Sequence, residues 1–367
     1  MKVKKLKLKK PNLRVPKPRL PKKLRRQGKE ERSQEAISSL PRITNETVAE
    51  HREEVLSSAR KYIYPLEHSK HRIVVISTAL LIVAVVSFFV YCGLALYKFQ
   101  SSNAFVYRVT QVIPFPVAKA GTRYVAYENY LFELRRYVHY YQSQQRVDFG
   151  GKDGQKQLAL YKPRAMDEVV NAAYVKQLAE QHKVTVSDSE VNAQLEALRL
   201  QNQLGSSNRE LADVANEFFG WSLDDLKREL RQELLAQKVA AKLDTETGAR
   251  ADDILRQIQN GGDFAALAAQ ASDDAATKAN GGQYADGAIT ATSTDVPPVV
   301  VQELLKLQPG QTSVVFLAGT NLEIVKLIAN NNGKLQAAHI SFKVKDISTY
   351  IAPLKKSHPT HYYINVK

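Results

Sequence analysis

From Ile73 to Tyr97 the chain runs for 25 residues without a charge, and about 20 apolar residues suffice to carry a helix across a bilayer. Val, Ile, Leu and Phe dominate the run, Lys70 and Arg72 precede it, and Lys98 follows it. A soluble domain rarely buries so long an uncharged stretch in one helix. The segment is therefore expected to span a membrane once. A cleavable signal peptide has a short basic region and an apolar core of about 7 to 15 residues, which neither this run nor its 72-residue leader fits. Cys92 sits within the run after a bulky Tyr91, a poor setting for lipid attachment. It is the only cysteine, so no intrachain disulfide can form.

Charge orients the span. Residues 1–72 hold 21 Lys and Arg against eight Glu and no Asp, a net of +13, so the remaining 295 residues contribute only +2 of the chain's +15. The positive-inside rule then puts the N-terminus in the cytoplasm and the rest of the chain outside. The first 29 residues hold 14 Lys and Arg, four Pro and no acid, a composition that buries too little apolar surface to order itself. This tail is expected to lie disordered against anionic lipid, where each charge near the surface gains roughly 1 kcal/mol. No RNA-binding motif accompanies it, so no specific nucleic acid is expected. Glu46 to Lys61 reads as a short charged helix.

Beyond the span, residues 98–121 read as a linker, with Ile113-Pro-Phe-Pro-Val117 too Pro-rich for a helix and suited to a strand or spacer. Val125 to Gln144 carries Leu131, Leu134, Val138 and Tyr141 near helical spacing, and Met166 to His182 repeats the pattern. Asp148 to Pro163, rich in Gly and Lys, reads as a loop. Two helix starts are explicit. Ser187-Asp-Ser-Glu190 is a capping box flanked by Val186 and Val191. Ser222-Leu-Asp-Asp225 is an acidic variant flanked by Trp221 and Leu226.

The last third carries three ordered motifs. They are Gly261-Gly-Asp-Phe-Ala-Ala-Leu-Ala-Ala-Gln-Ala-Ser-Asp-Asp274, Lys278-Ala-Asn-Gly-Gly282 and Leu304-Leu-Lys-Leu-Gln-Pro-Gly-Gln311. In this order they resemble a parvulin-type peptidyl-prolyl isomerase domain. The stretch before them is similar to the N-terminal module of SurA-type and PpiD-type folding factors. The matching pieces are the Tyr127–Tyr141 helix, Val-Thr-Val-Ser-Asp-Ser-Glu-Val after Lys183, the turn from Phe219 and the helix from Leu230. The resemblance covers about residues 122–329, and the single N-terminal anchor brings PpiD-type proteins nearest in architecture.

The parvulin resemblance implies a site without covalent chemistry. Asp274 falls at the family's acidic position, and Val296 and Val300 at the two substrate-pocket positions. In the final strand, Asn321-Leu-Glu-Ile-Val-Lys-Leu327, Glu323 stands where the family has a histidine, and the Gly-Gly turn reads Gly281-Gly-Gln-Tyr-Ala285. The family's first strand is missing before the helix from Gly248. Its sequence occurs instead as Gln336-Ala-Ala-His-Ile-Ser-Phe-Lys-Val344, after the hairpin signal Asn332-Gly333. Two arrangements are open. Either strand 335–344 folds back on 322–329 in a circularly rearranged sheet, with His339 supplying a family histidine, or it opens a truncated second repeat.

The expected fold class is α+β, with a single transmembrane helix, a helical SurA-N-like chaperone module and one parvulin-like α+β domain. The expected boundaries are a basic tail at 1–72, the span at 73–97, the linker at 98–121, the module at 122–247, the parvulin-like domain at 248–344 and a C-terminal segment at 345–367. The candidate catalytic residues are Asp274, His339 and Glu323, with Val296 and Val300 as substrate-binding residues. No nucleophile motif, phosphate loop or zinc motif is present, and His358-Pro-Thr-His361 lacks a carboxylate or thiol companion. No cofactor and no metal are expected. The resemblance implies a membrane-anchored extracytoplasmic folding factor with unfolded or nascent exported polypeptides as partners. Asp274 and His339 favour an active isomerase, whereas Glu323 and the altered turn favour a binding-only chaperone. A membrane scaffold is the third reading.

Overall fold

The computed structural model describes residues 44–63, 66–201, 207–284, 289–290 and 292–366. The basic tail over 1–29 lies outside them, as does Ala285 of the Gly-Gly turn. The chain divides into two compact units, Met1–Val85 and Val86–Lys367. The first holds α1 (Asn45–Ile63), the charged helix read from Glu46 onward, and the start of α2 (Leu66–Gly93). Among the described residues one helix, His71–Lys98, is long and apolar enough to cross a membrane.

Residues 98–121, read as a linker, are folded, and so is the end of the expected span from Cys92. Leu94–Lys98 is a π-helical turn whose Ala95 and Leu96 are buried in the main core of the second unit. Tyr127 donates its hydroxyl to the Leu96 carbonyl at 2.7 Å, and Tyr97 donates to the Pro116 carbonyl at 2.8 Å. Helix α3 (Ala104–Val112) follows, its first turn capped by the Asn103 side chain, which accepts from the Val106 amide. Strand β1 (Pro116–Ala120) then buries Val117, Ala118 and Ala120. These residues are ordered by a core contributed from elsewhere in the chain, which local sequence does not announce.

β1 lies in the middle of a small antiparallel sheet, between β2 (Arg123–Ala126) and β6 (His361–Tyr362). Behind it pack α4 (Tyr127–Gln145) and α5 (Lys152–Gln181), around the fully buried Tyr127, Tyr130 and Tyr174. The expected loop over 148–163 is mostly helix, with Pro163 inside α5. The tertiary fold overrides propensity here: the Tyr161 ring stacks on Tyr137 at 5.4 Å and on Tyr141 at 4.6 Å, so burial holds this turn helical.

Helices α6 (Asp188–Gln201), α7 (Asn208–Phe219) and α8 (Leu223–Leu243) form a second cluster around Val191, Leu195, Leu211 and Leu230. Both predicted caps are present. The Ser187 amide donates to the Glu190 carboxylate at 2.8 Å, and the Ser222 amide to Asp225 at 2.9 Å, each with the reciprocal bond to the serine hydroxyl. Trp221 and Leu226 share one apolar cluster, as the second staple requires, and the indole stacks on Phe132 at 5.3 Å.

The final lobe comprises α9 (Thr245–Gln259), α10 (Phe264–Ala271), α11 (Ala275–Lys278), α12 (Pro298–Leu305) and the antiparallel sheet β3 (Phe316–Ala318), β4 (Asn321–Asn331), β5 (Lys334–Lys343). Ile324 pairs with Ile340 and Val325 with His339, so β5 folds back on β4. Of the two arrangements, the rearranged single sheet is the one observed. Asn332 and Gly333, the two residues of the turn, both have positive φ, 52° and 86°, as a type I′ turn demands.

This lobe is inserted into the helical module. After β5 the chain returns as α13 (Ser348–Ser357) and β6, burying Ile351 and Ile364 in the main core. Asp244, itself buried, ties entry to exit. Its carboxylate caps α9 by accepting from the Thr247 amide at 3.3 Å and accepts the Lys345 amide at 2.8 Å. Desolvation opposes the charge, but these amides and Lys345 hold its pKa below the usual Asp value. Asp244→Ala removes a cap worth about 1 kcal/mol and orphans a part-buried amide, so a loss of about 2–3 kcal/mol is expected in urea unfolding near neutral pH. The Asp244 contribution is present above about pH 3.9, the unfolded value, and is lost as pH falls through the depressed native value.

Candidate active site in the inserted lobe

Local chain geometry brings the site residues to one sheet face. Cross-strand partners share a face in an antiparallel pair, so β4 presents Glu323 and Val325 on the side where β5 presents Ser341 and His339. The outer edge of β5 is covered by two short segments. Ser272 and Asp273 bind it on one stretch, Ser341 donating its amide to the Ser272 hydroxyl at 3.2 Å and Asp273 donating its amide to the Ser341 carbonyl at 2.7 Å. Arg250 braces Asp273 at 2.9 Å. On the next stretch, His339 donates its amide to the Gly282 carbonyl at 2.8 Å.

That pinning delivers Asp274 to His339. The imidazole Nε2 lies 3.0 Å from Asp274 Oδ2 and 2.8 Å from the Thr277 hydroxyl, which itself donates to Asp274 at 2.6 Å. On the other side, Nδ1 lies 3.0 Å from Glu323 Oε2. The three residues expected to be catalytic thus form one carboxylate–imidazole–carboxylate line, with His339 and Glu323 buried and Asp274 at its more open end. Two members were missed in the sequence. Thr277 bonds both Asp274 and His339, and Tyr284 stacks its ring on the imidazole at 4.3 Å. An aromatic residue two positions past the Gly-Gly turn was the available signal for Tyr284.

Val296 and Val300 lie on the same sheet face as the site, with Tyr284 packed against their cluster. Both valine side chains are buried, inside the cluster with Val325, Leu327 and Leu335. Neither is exposed in this structure.

Burial works against a charged His339, yet the hydrogen bond and charge of Glu323, followed by Asp274, outweigh it and raise the imidazole pKa above its ordinary value. Asp274 moves the opposite way: desolvation opposes its charge, but Thr277, the Ala276 amide and His339 hold it below the usual carboxylate range. A raised histidine stabilises the fold fully below its unfolded value of about 6.5, and that stability is lost as pH rises through the raised native value. Urea midpoints from about pH 5 to pH 9 should therefore fall for the native chain more steeply than for His339→Gln. Parallel profiles would refute a charged His339 in the folded protein.

A separate hollow of about 530 Å³ opens in the helical module between α4, α5, α8 and α13. Val169, Val175, Leu235 and Ile351 form its apolar walls, and Glu133, Arg136, Glu168 and Glu229 line another part. Arg136 bridges Glu133 and Glu168 at 2.9 Å each. Burial pushes the Glu133 carboxyl up to about 7 even against Arg136.

Residues 233–329 match the model of the PPIC-type PPIASE domain, the rotamase or parvulin family, and residues 67–240 match that of the SurA-like N-terminal domain. The rotamase match ends before β5, which carries His339. Chaperone SurA of Thiobacillus denitrificans (strain ATCC 25259 / T1) is 34% identical over 113 residues, 28% of this chain and 24% of that protein, so the match spans about a quarter of the relative's length. Foldase protein PrsA from Streptococcus pneumoniae str. Canada MDR_19A aligns with 53% of this chain and 76% of its own at 22% identity and a TM-score of 0.17. The chain combines a SurA-like N-terminal domain with a PPIC-type peptidyl-prolyl isomerase (parvulin) domain.

Proposed function

We propose that this chain is a membrane-anchored extracytoplasmic folding factor, N-terminus in the cytoplasm, that accelerates cis/trans exchange at prolyl bonds of unfolded exported polypeptides. The observation that carries the reading is the Asp274–His339–Glu323 line, in which two residues of the PPIC-type match meet His339 from the strand that follows it. Rotation about the peptide bond faces a barrier of roughly 18–20 kcal/mol. No bond to the enzyme is needed. A site lowers the barrier by binding the twisted amide better than either planar form, through fixed dipoles in a partly dry setting. Asp274, held ionised by Thr277 and His339, supplies the fixed charge at the open end, and Glu323 holds the imidazole in one orientation. The hollow of the helical module supports a second task, holding apolar client segments.

Full-length protein in detergent micelles is expected to accelerate isomerisation of a proline tetrapeptide in a protease-free assay. Asp274→Asn and His339→Gln should each lower kcat/KM by about tenfold or more, equivalent to about 1.4 kcal/mol of transition-state binding. A rate equal to the uncatalysed one would remove the isomerase reading. The buried Val296 and Val300, together with Glu323 at the family's histidine position, favour a binding-only chaperone in that event, measured as suppressed aggregation of an unfolded client.

A further inference from the structure

Helix α3 presents an exposed apolar face close after the spanning helix. Its inner face, Val106 and Thr110, is buried. On its outer face Phe105 is 54% exposed and Val112 82% exposed, seven residues and about two turns apart. Arg108, also exposed, lies between them, and Phe99, 70% exposed, stands just ahead of the helix with Lys98 beside it. Two large apolar groups flanking a basic one on one helix face suit the headgroup boundary of a bilayer, where the apolar groups enter the acyl region and the cation reaches back to the headgroups.

Depth can be read from the same contacts. Cys92 and Leu96 are 2% and 0% exposed, packed inside the folded module rather than free for lipid. The helix left to cross the membrane is therefore about His71 to Tyr91, 21 residues, or about 31 Å at 1.5 Å per residue, which matches a hydrocarbon core of about 30 Å. Tyr91 then falls at the interface, where aromatic side chains concentrate. The Phe105 ring lies 6.3 Å from the Tyr91 ring, so α3 begins at that level.

We infer that α3 is an interfacial helix, seated by Phe105 and Val112 in the bilayer leaflet on the module's own side. The folded module is thereby held against the membrane, with no flexible spacer before it. The inference rests on the membrane-anchored reading.

The test uses the full chain with Cys92→Ala, reconstituted in vesicles of phosphatidylethanolamine and phosphatidylglycerol, with one spin label per sample. Labels replace Phe105, Val112, Val83 in the span, or the exposed Lys152. Collision with oxygen and with a water-soluble nickel chelate is read by power saturation. The expected result is that labels at 105 and 112 are relaxed several-fold more by oxygen than by nickel, at a depth shallower than 83, while 152 is relaxed by nickel. If 105 and 112 match 152 while 83 stays in lipid, the anchor stands and the interfacial helix is overturned. If 83 is also aqueous, the anchored reading falls and the inference with it.

Discussion

Gly282→Val is expected to break the site lobe, the largest effect of any single substitution proposed. Gly282 has φ +78°, and a Cβ there would lie 2.1 Å from the backbone carbonyl oxygen of His339. No side-chain rotation relieves a backbone clash, and the same residue accepts the His339 amide at 2.8 Å. A β-branched residue at positive φ is strained by about 1–3 kcal/mol even in open space. The clash and the lost edge bond add to that, so a cost of about 4 kcal/mol or more is expected, a large share of an ordinary stability of about 5–15 kcal/mol. Gly310→Ala is the control: φ is +90° but no atom lies within 4 Å of the added group, so only about 1 kcal/mol should be lost. Denaturant unfolding together with amide exchange at His339 separates the two. Equal losses would mean that positive φ, not the close approach to His339, sets the requirement.

The second large effect lies at the other end of the chain. Deleting residues 347–367 should unfold the helical module although the deletion touches none of α4 to α8. Ile351 and Ile364 are buried in its core, with Ile347, Tyr350 and Leu354 packed against them. The two isoleucines alone contribute about 3–6 kcal/mol at about 1.5–3 kcal/mol each. Loss of β6 strips one neighbour from β1, and Tyr174 loses the His358 carbonyl that its buried hydroxyl meets at 2.6 Å. The sum approaches the whole stability of a domain. Limited proteolysis and near-UV circular dichroism should show a loosened module. Tyr174→Phe, which removes only the hydroxyl, should cost about 1 kcal/mol. A truncated chain that still unfolds cooperatively at the native midpoint would refute a shared core.

The sequence by itself determined the features whose partners lie within a few residues. The uncharged run needs only its own helical hydrogen bonds to be stable in lipid. Ser187 with Glu190, and Ser222 with Asp225, close their capping bonds across three residues. Asn332-Gly333 turns because both positions need positive φ, and that turn brought β5 onto β4 in the register that sets His339 opposite Val325. Asp274, His339 and Glu323 were read together only through a resemblance: Asp274 stands at the family's acidic position, Glu323 at that of a histidine, and His339 in a strand similar to the family's first.

The tertiary structure decided everything that depends on contacts far along the chain. Thr277 and Tyr284 reach His339 across 62 and 55 residues, so no local pattern pairs either with it, although Tyr284 stands out as an aromatic just past the Gly-Gly turn. Val296 and Val300 are buried with Val325, Leu327 and Leu335, which lie 25 or more residues further along the chain. The supposed linker, and Leu96 just ahead of it, fold because Leu96, Val106 and Val117 find a common core with Ile351 and Ile364. Asp244 pairs with Lys345 across 101 residues, joining the two ends of an inserted lobe. Local hydrogen bonds and propensities are written in short stretches of sequence, whereas burial is a property of which surfaces meet.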